Sequence, residues 1–332
     1  MDGTPRPDRR SLLTAMALAP VGLAMGAWAP AAPRSIALTF DDLPYATHAS
    51  PGSLSSARRV NAAILRALSL WRAPATGFVD ETGLNVPGEA QARTGLLRAW
   101  VDEGADLGDA TYSHVDFTNA AVLQYETGID RGARVIRQLM ATRGKPLKYV
   151  RYPFATLGPT PAAAQSVAAF LAARGYRIAP QTIDGGDAVF NLPYLEALKS
   201  GDRGQAQRLG LAYVEYVLQA VRYADAIAPR IVGRAIPQVI RLHANDLNAD
   251  WLYMLIGRLL GAGYSLISLD DALSDPAYSA PGAILSPFGP SWVWRTRRGG
   301  GLGPGFTGEP NPPFEVVQAY QRLGGDRGDA RG

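Results

Sequence analysis

The spacing of apolar residues changes many times along the chain, and in a regular order. Residues 35–40 form a short β-type run ending in Asp41 and Asp42. Residues 54–70 place apolar side chains at helical spacing, and 75–79 return to strand character. The alternation continues with a helix over 90–103 stopped by Gly104, a strand over 106–108, and a helix over 120–143 closed by Gly144. A strand over 147–152 is stopped by Pro153, and a helix over 161–174 ends at Gly175. One or two short strands fall within 176–183, followed by one long helix or a broken pair over 194–228. A strand over 237–243, a helix over 248–261 and a strand over 264–269 complete the series. Six or seven β-α repeats in one run predict a mainly parallel sheet, covered by helices and curled into a barrel. From Pro281 the pattern fails, and glycine and proline mark an irregular tail over 281–332 with one helix at 314–323.

The N-terminus reads as an address. Arg9 and Arg10 lead into an apolar run reaching about Ala29, with small-residue cleavage sites at Ala27-Trp28-Ala29 and Ala29-Pro30-Ala31. Residues 1–31 therefore read as a signal peptide of the twin-arginine type, with the protein expected in the periplasm or secreted. Pro20, Gly22 and Gly26 inside the run argue against a retained membrane anchor. No later stretch reaches the roughly 20 apolar residues needed to span a bilayer. Removing residues 1–29 takes away three arginines and two aspartates, lowering the formal charge from +4 to +3.

Composition narrows the chemistry. With 47% hydrophobic and 19% charged residues over 332 positions, the chain has ample material for a core. There is no cysteine, which excludes disulfides, thiolate metal sites and a cysteine nucleophile. The only histidines are His48, His114 and His243. Basic residues are scattered rather than clustered, so no nucleic-acid partner is expected. Six Trp and fourteen Tyr suit either an ordinary core or a ring-bearing ligand such as a carbohydrate.

In parallel sheets and barrels, ligands gather at the C-terminal ends of the strands. Asp41 and Asp42 end the first strand, His114 follows the third, and Arg151 ends the fourth. Asp184 and Asp187 follow the strand that includes Ile183, and His243 ends the strand that begins near Pro237. Carboxylates, a guanidinium and two of the three imidazoles thus fall on one edge.

These residues, in this order, resemble the motifs of the polysaccharide deacetylase family (NodB homology, carbohydrate esterase family 4), over about residues 35–275. Thr39-Phe40-Asp41-Asp42 looks like the first motif and Thr111-Tyr112-Ser113-His114 like the end of the second. Arg151-Tyr152-Pro153-Phe154 looks like the third, Asp187 sits in the fourth, and Leu242-His243 lies in the fifth. The resemblance implies a distorted (β/α)7-type barrel and hydrolysis of an N-acyl amide on an amino sugar or related molecule. It makes Asp42 and His114 ligands of a divalent metal, zinc or similar, that activates water and polarises the carbonyl. It makes Asp41 the base and Arg151 the group that holds Asp41 ionised. Tyr152, Pro153 and Phe154 become substrate-binding, with the Tyr152 N–H on the oxyanion. It makes His243 the acid for the departing amine, with Asp187 as its charged neighbour.

Three positions depart from the family pattern. Ala110 stands where the second motif supplies another histidine, so the metal is expected to be weakly held or absent unless His48 reaches the site. Ala188 follows Asp187 where a tryptophan usually walls the acetyl pocket. Arg241 replaces an apolar residue of the acetyl slot and faces the same side as His243, two residues on. A guanidinium there needs Asp187, Asp184, Asp41 or an anionic substrate as partner. Three readings remain, in this order: an amide hydrolase with an atypical metal site and enlarged acyl pocket; a catalytically inactive glycan-binding protein; and a metal-free acid–base enzyme using Asp41, His243 and Arg241. Asn245-Asp246-Leu247-Asn248 reads as a helix cap and Asp270-Asp271 as a cap or turn. Trp292 and Trp294 read as cover for the barrel.

Overall fold

A nine-residue strand buried along nearly its whole length belongs in the middle of a sheet. β1 (Ser35–Leu43) is such a strand, and it pairs in parallel with both β2 (Ala75–Val79) and β7 (Gln238–His243). β3 (Asp106–Asp109), β4 (Tyr149–Val150) and β5 (Arg177–Ile178) extend the sheet beyond β2. β6 (Ile183–Asp184) lies beyond β7, and β8 (Ser265–Ile267) pairs with the start of β1. The order β5-β4-β3-β2-β1-β7-β6 is parallel throughout and forms the curled half-barrel of the (β/α)7-type expectation. β5 and β6 do not pair. The segment 179–182 links them: Ala179 N–H donates to Val150 O at 2.9 Å and Thr182 N–H donates to Val239 O at 3.0 Å. The structure is a computed structural model and describes residues 1–3, 34–46, 52–112, 114–153, 158–279 and 309–325. The expectations for the signal peptide, His48, Ser113, Phe154 and the tail tryptophans fall outside them.

The helices follow from spacing and caps. α1 (Leu54–Trp71) turns Ala57, Val60, Ile64 and Leu68 inward, and Ser53 caps it by accepting from Ser56 N–H. α2 (Ala90–Asp102), α3 (Val122–Ala141) and α4 (Pro161–Ala173) follow within two residues of the sequence expectation. The expected helix over 194–228 is a broken pair, α5 (Asp187–Lys199) and α6 (Arg203–Val232), separated at Gly201, whose φ is 78°. α5 begins seven residues earlier than expected. Gly186, at φ 64°, is its N-cap, and a Cβ there would strike the Tyr216 ring. α7 (Asp246–Gly261), α8 (Leu269–Leu273) and α9 (Phe314–Arg322) complete the set. No helix among the described residues is long and apolar enough to cross a membrane.

Strand alternation divides the interior in two. Ile36, Leu38 and Phe40 pack under the helices with Trp100, Leu107 and Ile240. Ala37, Phe78, Ala110, Tyr149, Ala179 and Val239 form a second apolar cluster with Leu269, Ala272 and Leu273 of α8. That cluster is the floor of the barrel. Thr39, Asp41, Arg151, Arg241 and His243 continue the same strand faces toward the C-terminal edge.

One helix contact sets the geometry of that edge. Asp109 points out of the barrel against α3, where a Cβ on Gly132 would lie 2.5 Å from its Oδ1 and 3.0 Å from the Thr111 carbonyl carbon. Gly132→Ala is expected to destabilise the fold by about 1–3 kcal/mol through overpacking, read as a lower urea midpoint at unchanged m-value.

Candidate active site

Two consecutive residues of a regular strand face opposite ways, yet Asp41 and Asp42 both reach the barrel mouth. The register between β1 and β2 slips after Phe40, so that three steps along β1 match two along β2. Asp42 takes φ 60°, in the left-handed region. This bulge turns its carboxylate back over the strand end. Thr111 and His114 also have positive φ, at 67° and 47°. Non-glycine residues pay for such backbone, and here they cluster at one site. The Asp42 Oδ1 and His114 Nε2 atoms lie 3.1 Å apart. Burial opposes charge on both groups, but the pairing prevails: Asp42 is held well below the usual carboxylate range and His114 is raised.

Asp41 stays inside. Its Oδ1 accepts from Arg151 Nη1 at 3.1 Å. Arg151 is nearly inaccessible and heavily constrained. Nη1 also donates to Thr39 Oγ1 at 2.9 Å, Nε donates to Ala179 O at 3.2 Å, and the guanidinium lies 4.2 Å from the centre of the Phe78 ring. Thr39 in turn donates to Ile240 O at 2.7 Å. Burial raises the Asp41 pKa, and Arg151, Arg241 and His243 offset only part of that effect. A carboxylate that is costly to ionise is a stronger proton acceptor once ionised.

His243 sits opposite Asp41 in the β1–β7 register. Its Nδ1 meets Asp187 Oδ1 at 3.0 Å. The carboxylate can only accept, so Nδ1 carries the proton and Nε2 is left for a substrate. Asp187 is fully buried, and its Oδ2 accepts from the His243 backbone N–H at 2.8 Å, Asn245 Nδ2 at 2.7 Å and Asn248 Nδ2 at 2.6 Å. Burial alone would lower the His243 pKa; the Asp187 carboxylate overrides it and pushes the pKa up to about 9.

Arg241 donates to Asp184, its register partner on β6. The second Asp184 oxygen accepts from Gly186 N–H at 2.9 Å. Burial disfavours charge on this pair too, but mutual attraction wins, lowering the Asp184 pKa and raising that of Arg241.

The structure thus gathers Asp41, Asp42, His114, Arg151, Asp184, Asp187, Arg241 and His243 at one edge, and separates others from it. Asp109 faces α3, as strand alternation requires. The Tyr152 ring turns into the core, edge-on to Phe117 and Tyr125, so its side chain does not line the mouth. Pro153 follows it and is buried as well. Ala110 is buried in the floor cluster, where its methyl supplies no donor. Among the described residues, no group of three His, Asp or Glu forms that could hold a metal. Asp42 and His114 are two donors, one short of the three protein ligands of a catalytic zinc site, so they do not fit that group as a complete site. Sequence reasoning missed four contributors. Thr39 positions Arg151, and Asn245 and Asn248 hold Asp187. Asp80, at the end of β2, adds a negative charge that favours protonated His114. Asp80 was legible as a further carboxylate on the strand-end edge.

The parallel half-barrel thus carries Asp41 and His243 as register partners on two adjacent strand ends. Residues 29–173 match the family described as polysaccharide deacetylase. That segment, less than half of the chain, is what is similar to the family. The matched segment ends with α4, so the placement of Asp187, Arg241 and His243 rests on the structure. Among solved structures, a polysaccharide deacetylase from Bacillus cereus has 18% identity and a TM-score of 0.50, covering 71% of this chain and 91% of that one. A mutant of a carbohydrate esterase family 4 pseudoenzyme has 13% identity and a TM-score of 0.49, covering 73% and 68%. The peptidoglycan deacetylase PdaC from Bacillus subtilis has 18% identity and a TM-score of 0.45, covering 75% and 95%. The Bacillus cereus likeness shows the fold. No curated protein matches the chain.

Asp187→Ala leaves four side-chain or backbone donors without their acceptor and is expected to cost about 3 kcal/mol or more. Asp187→Asn keeps the size and removes the charge. It is expected to bring the His243 pKa from about 9 back toward the ordinary imidazole range, followed by NMR titration of the ring.

Proposed function

We propose that this chain is an exported N-acyl hydrolase that cleaves the amide of an N-acylated amino sugar or related molecule. The observation that carries the reading is the pairing of Asp41 with His243 across β1 and β7, each with its own opposite charge behind it. The two groups divide the proton traffic of amide hydrolysis. Asp41 accepts a proton from water as its oxygen adds to the amide carbonyl. Arg151 keeps Asp41 ionised and fixed on Thr39. The Tyr152 backbone N–H, in the turn after β4, is assigned to the developing oxyanion. His243 Nε2 then gives a proton to the amide nitrogen as the C–N bond breaks, and Asp187 stabilises the imidazolium beforehand. The products are a carboxylic acid and a free amine. Asp42 and His114 are two donors where a catalytic site has three, so a divalent cation offered to the protein is expected to be lost on gel filtration.

Export rests on the arginine pair and apolar run at the N-terminus, with the folded protein delivered to the periplasm or outside. The short donor set at Ala110 favours a second reading, glycan binding without turnover. It is distinguished by ligand recovered unaltered after long incubation.

Activity is expected to fall as pH rises past about 9, because His243 then loses its proton. On the acid side it falls as Asp41 protonates, above the usual carboxylate range because burial raises that group. Asp41→Asn and His243→Asn are each expected to lower kcat by about 10²–10⁴-fold, measured as acid released from N-acylated glucosamine oligomers.

A further inference from the structure

Two guanidinium nitrogens at the mouth are shielded from solvent and lack a hydrogen-bond partner among the described residues, Arg151 Nη2 and Arg241 Nε. Their settings differ. Arg151 is locked on Thr39, Asp41 and Ala179. Arg241 makes one hydrogen bond, to Asp184, and 16% of its side chain is exposed. A purely structural ion pair would be expected to use the guanidinium more fully, because each desolvated N–H left unpaired is costly. Asp184 is committed on both oxygens, to Arg241 and to Gly186 N–H. The remaining Arg241 donors are therefore available to a third group.

The position of Arg241 says which part of a substrate would meet it. β7 ends at His243 at the mouth, and Arg241 lies two residues, about 7 Å, further down the strand. His243 and Asp41 mark the level of the scissile bond, and Arg241 is level with Thr39 below it. The leaving amine carries the sugar and must depart toward the mouth. The acyl chain is the part that can point down toward Arg241. Ala188, in the first turn of α5, is partly exposed, and Ala110 lines the floor.

We propose that Arg241 makes the acyl slot selective for a short acyl group ending in a carboxylate, such as the succinyl monoamide of an amino sugar. The inference rests on the hydrolase reading for the direction of the acyl chain. The reaction is otherwise unchanged: water adds to the amide carbonyl, the C–N bond breaks, the nitrogen leaves with the His243 proton, and a dicarboxylic acid is released. Arg241 forms charge-assisted hydrogen bonds to the distal carboxylate and takes no part in proton transfer.

The test is calorimetric binding of N-succinylglucosamine and N-acetylglucosamine to the full chain, with released acid measured in parallel. The expected result is roughly tenfold or greater preference for the succinyl compound, reduced in Arg241→Lys and abolished in Arg241→Leu. Because Arg241→Leu strands Asp184, the paired variant Arg241→Leu with Asp184→Leu keeps the site apolar and is the check on folding. Equal binding of the two ligands by the wild-type protein overturns the inference. So does a succinyl preference that persists in the folded double variant. Selective binding without acid release supports the role of Arg241 while overturning the hydrolase reading.

Discussion

The site depends on one buried carboxylate. Asp187 is the first residue of α5, yet its two oxygens accept from the His243 ring, the His243 backbone, Asn245 and Asn248. It thereby ties the end of β7, the following turn and the start of α7 to the start of α5. An acceptor this deep must be satisfied or it destabilises the fold. Four donors satisfy it. The same contacts that make the charge tolerable fix the His243 tautomer and leave Nε2 for chemistry. Gly185 and Gly186 make the approach possible: a Cβ on Gly185 would lie 2.8 Å from Arg241 O, and one on Gly186 would lie 2.5 Å from the Tyr216 ring.

The rest of the mouth has the same logic of charge held by opposite charge over an apolar floor. Phe78 and its apolar neighbours lie below Arg151, and the ion pairs sit largely buried above them. Electrostatic effects are correspondingly strong there. This is why Asp41 and Asp42, adjacent in sequence, diverge so far: Asp41 is raised by burial, and Asp42 is lowered by His114. The bulge at the end of β1 lets one strand deliver both. Strained backbone at Asp42, Thr111 and His114 is tolerated because the surrounding elements over-determine those positions.

Much of this was legible in the sequence. The helix ends follow from caps and glycines that local chemistry requires, so α1, α2, α4 and α9 fall where spacing placed them, within a residue or two. β4 and β5 were less legible. Each keeps only two paired residues, because the sheet curls there and the chain must cross to β6 without a strand partner. Most of the charged residues at the mouth were legible as strand ends; Arg241 came only from its departure from the family pattern. The partners of these residues were not legible. Arg241 had three candidate carboxylates, and only the β6–β7 register selects Asp184. Asn245 and Asn248 read as a helix cap, which Asn245 does form with Asn248 N–H, but their hold on Asp187 depends on residues more than fifty positions away. Asp42 by simple alternation should face outward, and no local signal announces the bulge that turns it.

The most direct measurement is hydrolysis of an N-acylated glucosamine oligomer in ¹⁸O-labelled water, comparing the wild-type protein with His243→Asn. Labelled carboxylic acid and an equal amount of free amine from the wild type, with neither from the folded variant, is the expected result. Substrate that binds the wild-type protein and is recovered unlabelled and intact contradicts the assignment of Asp41 and His243 as base and acid.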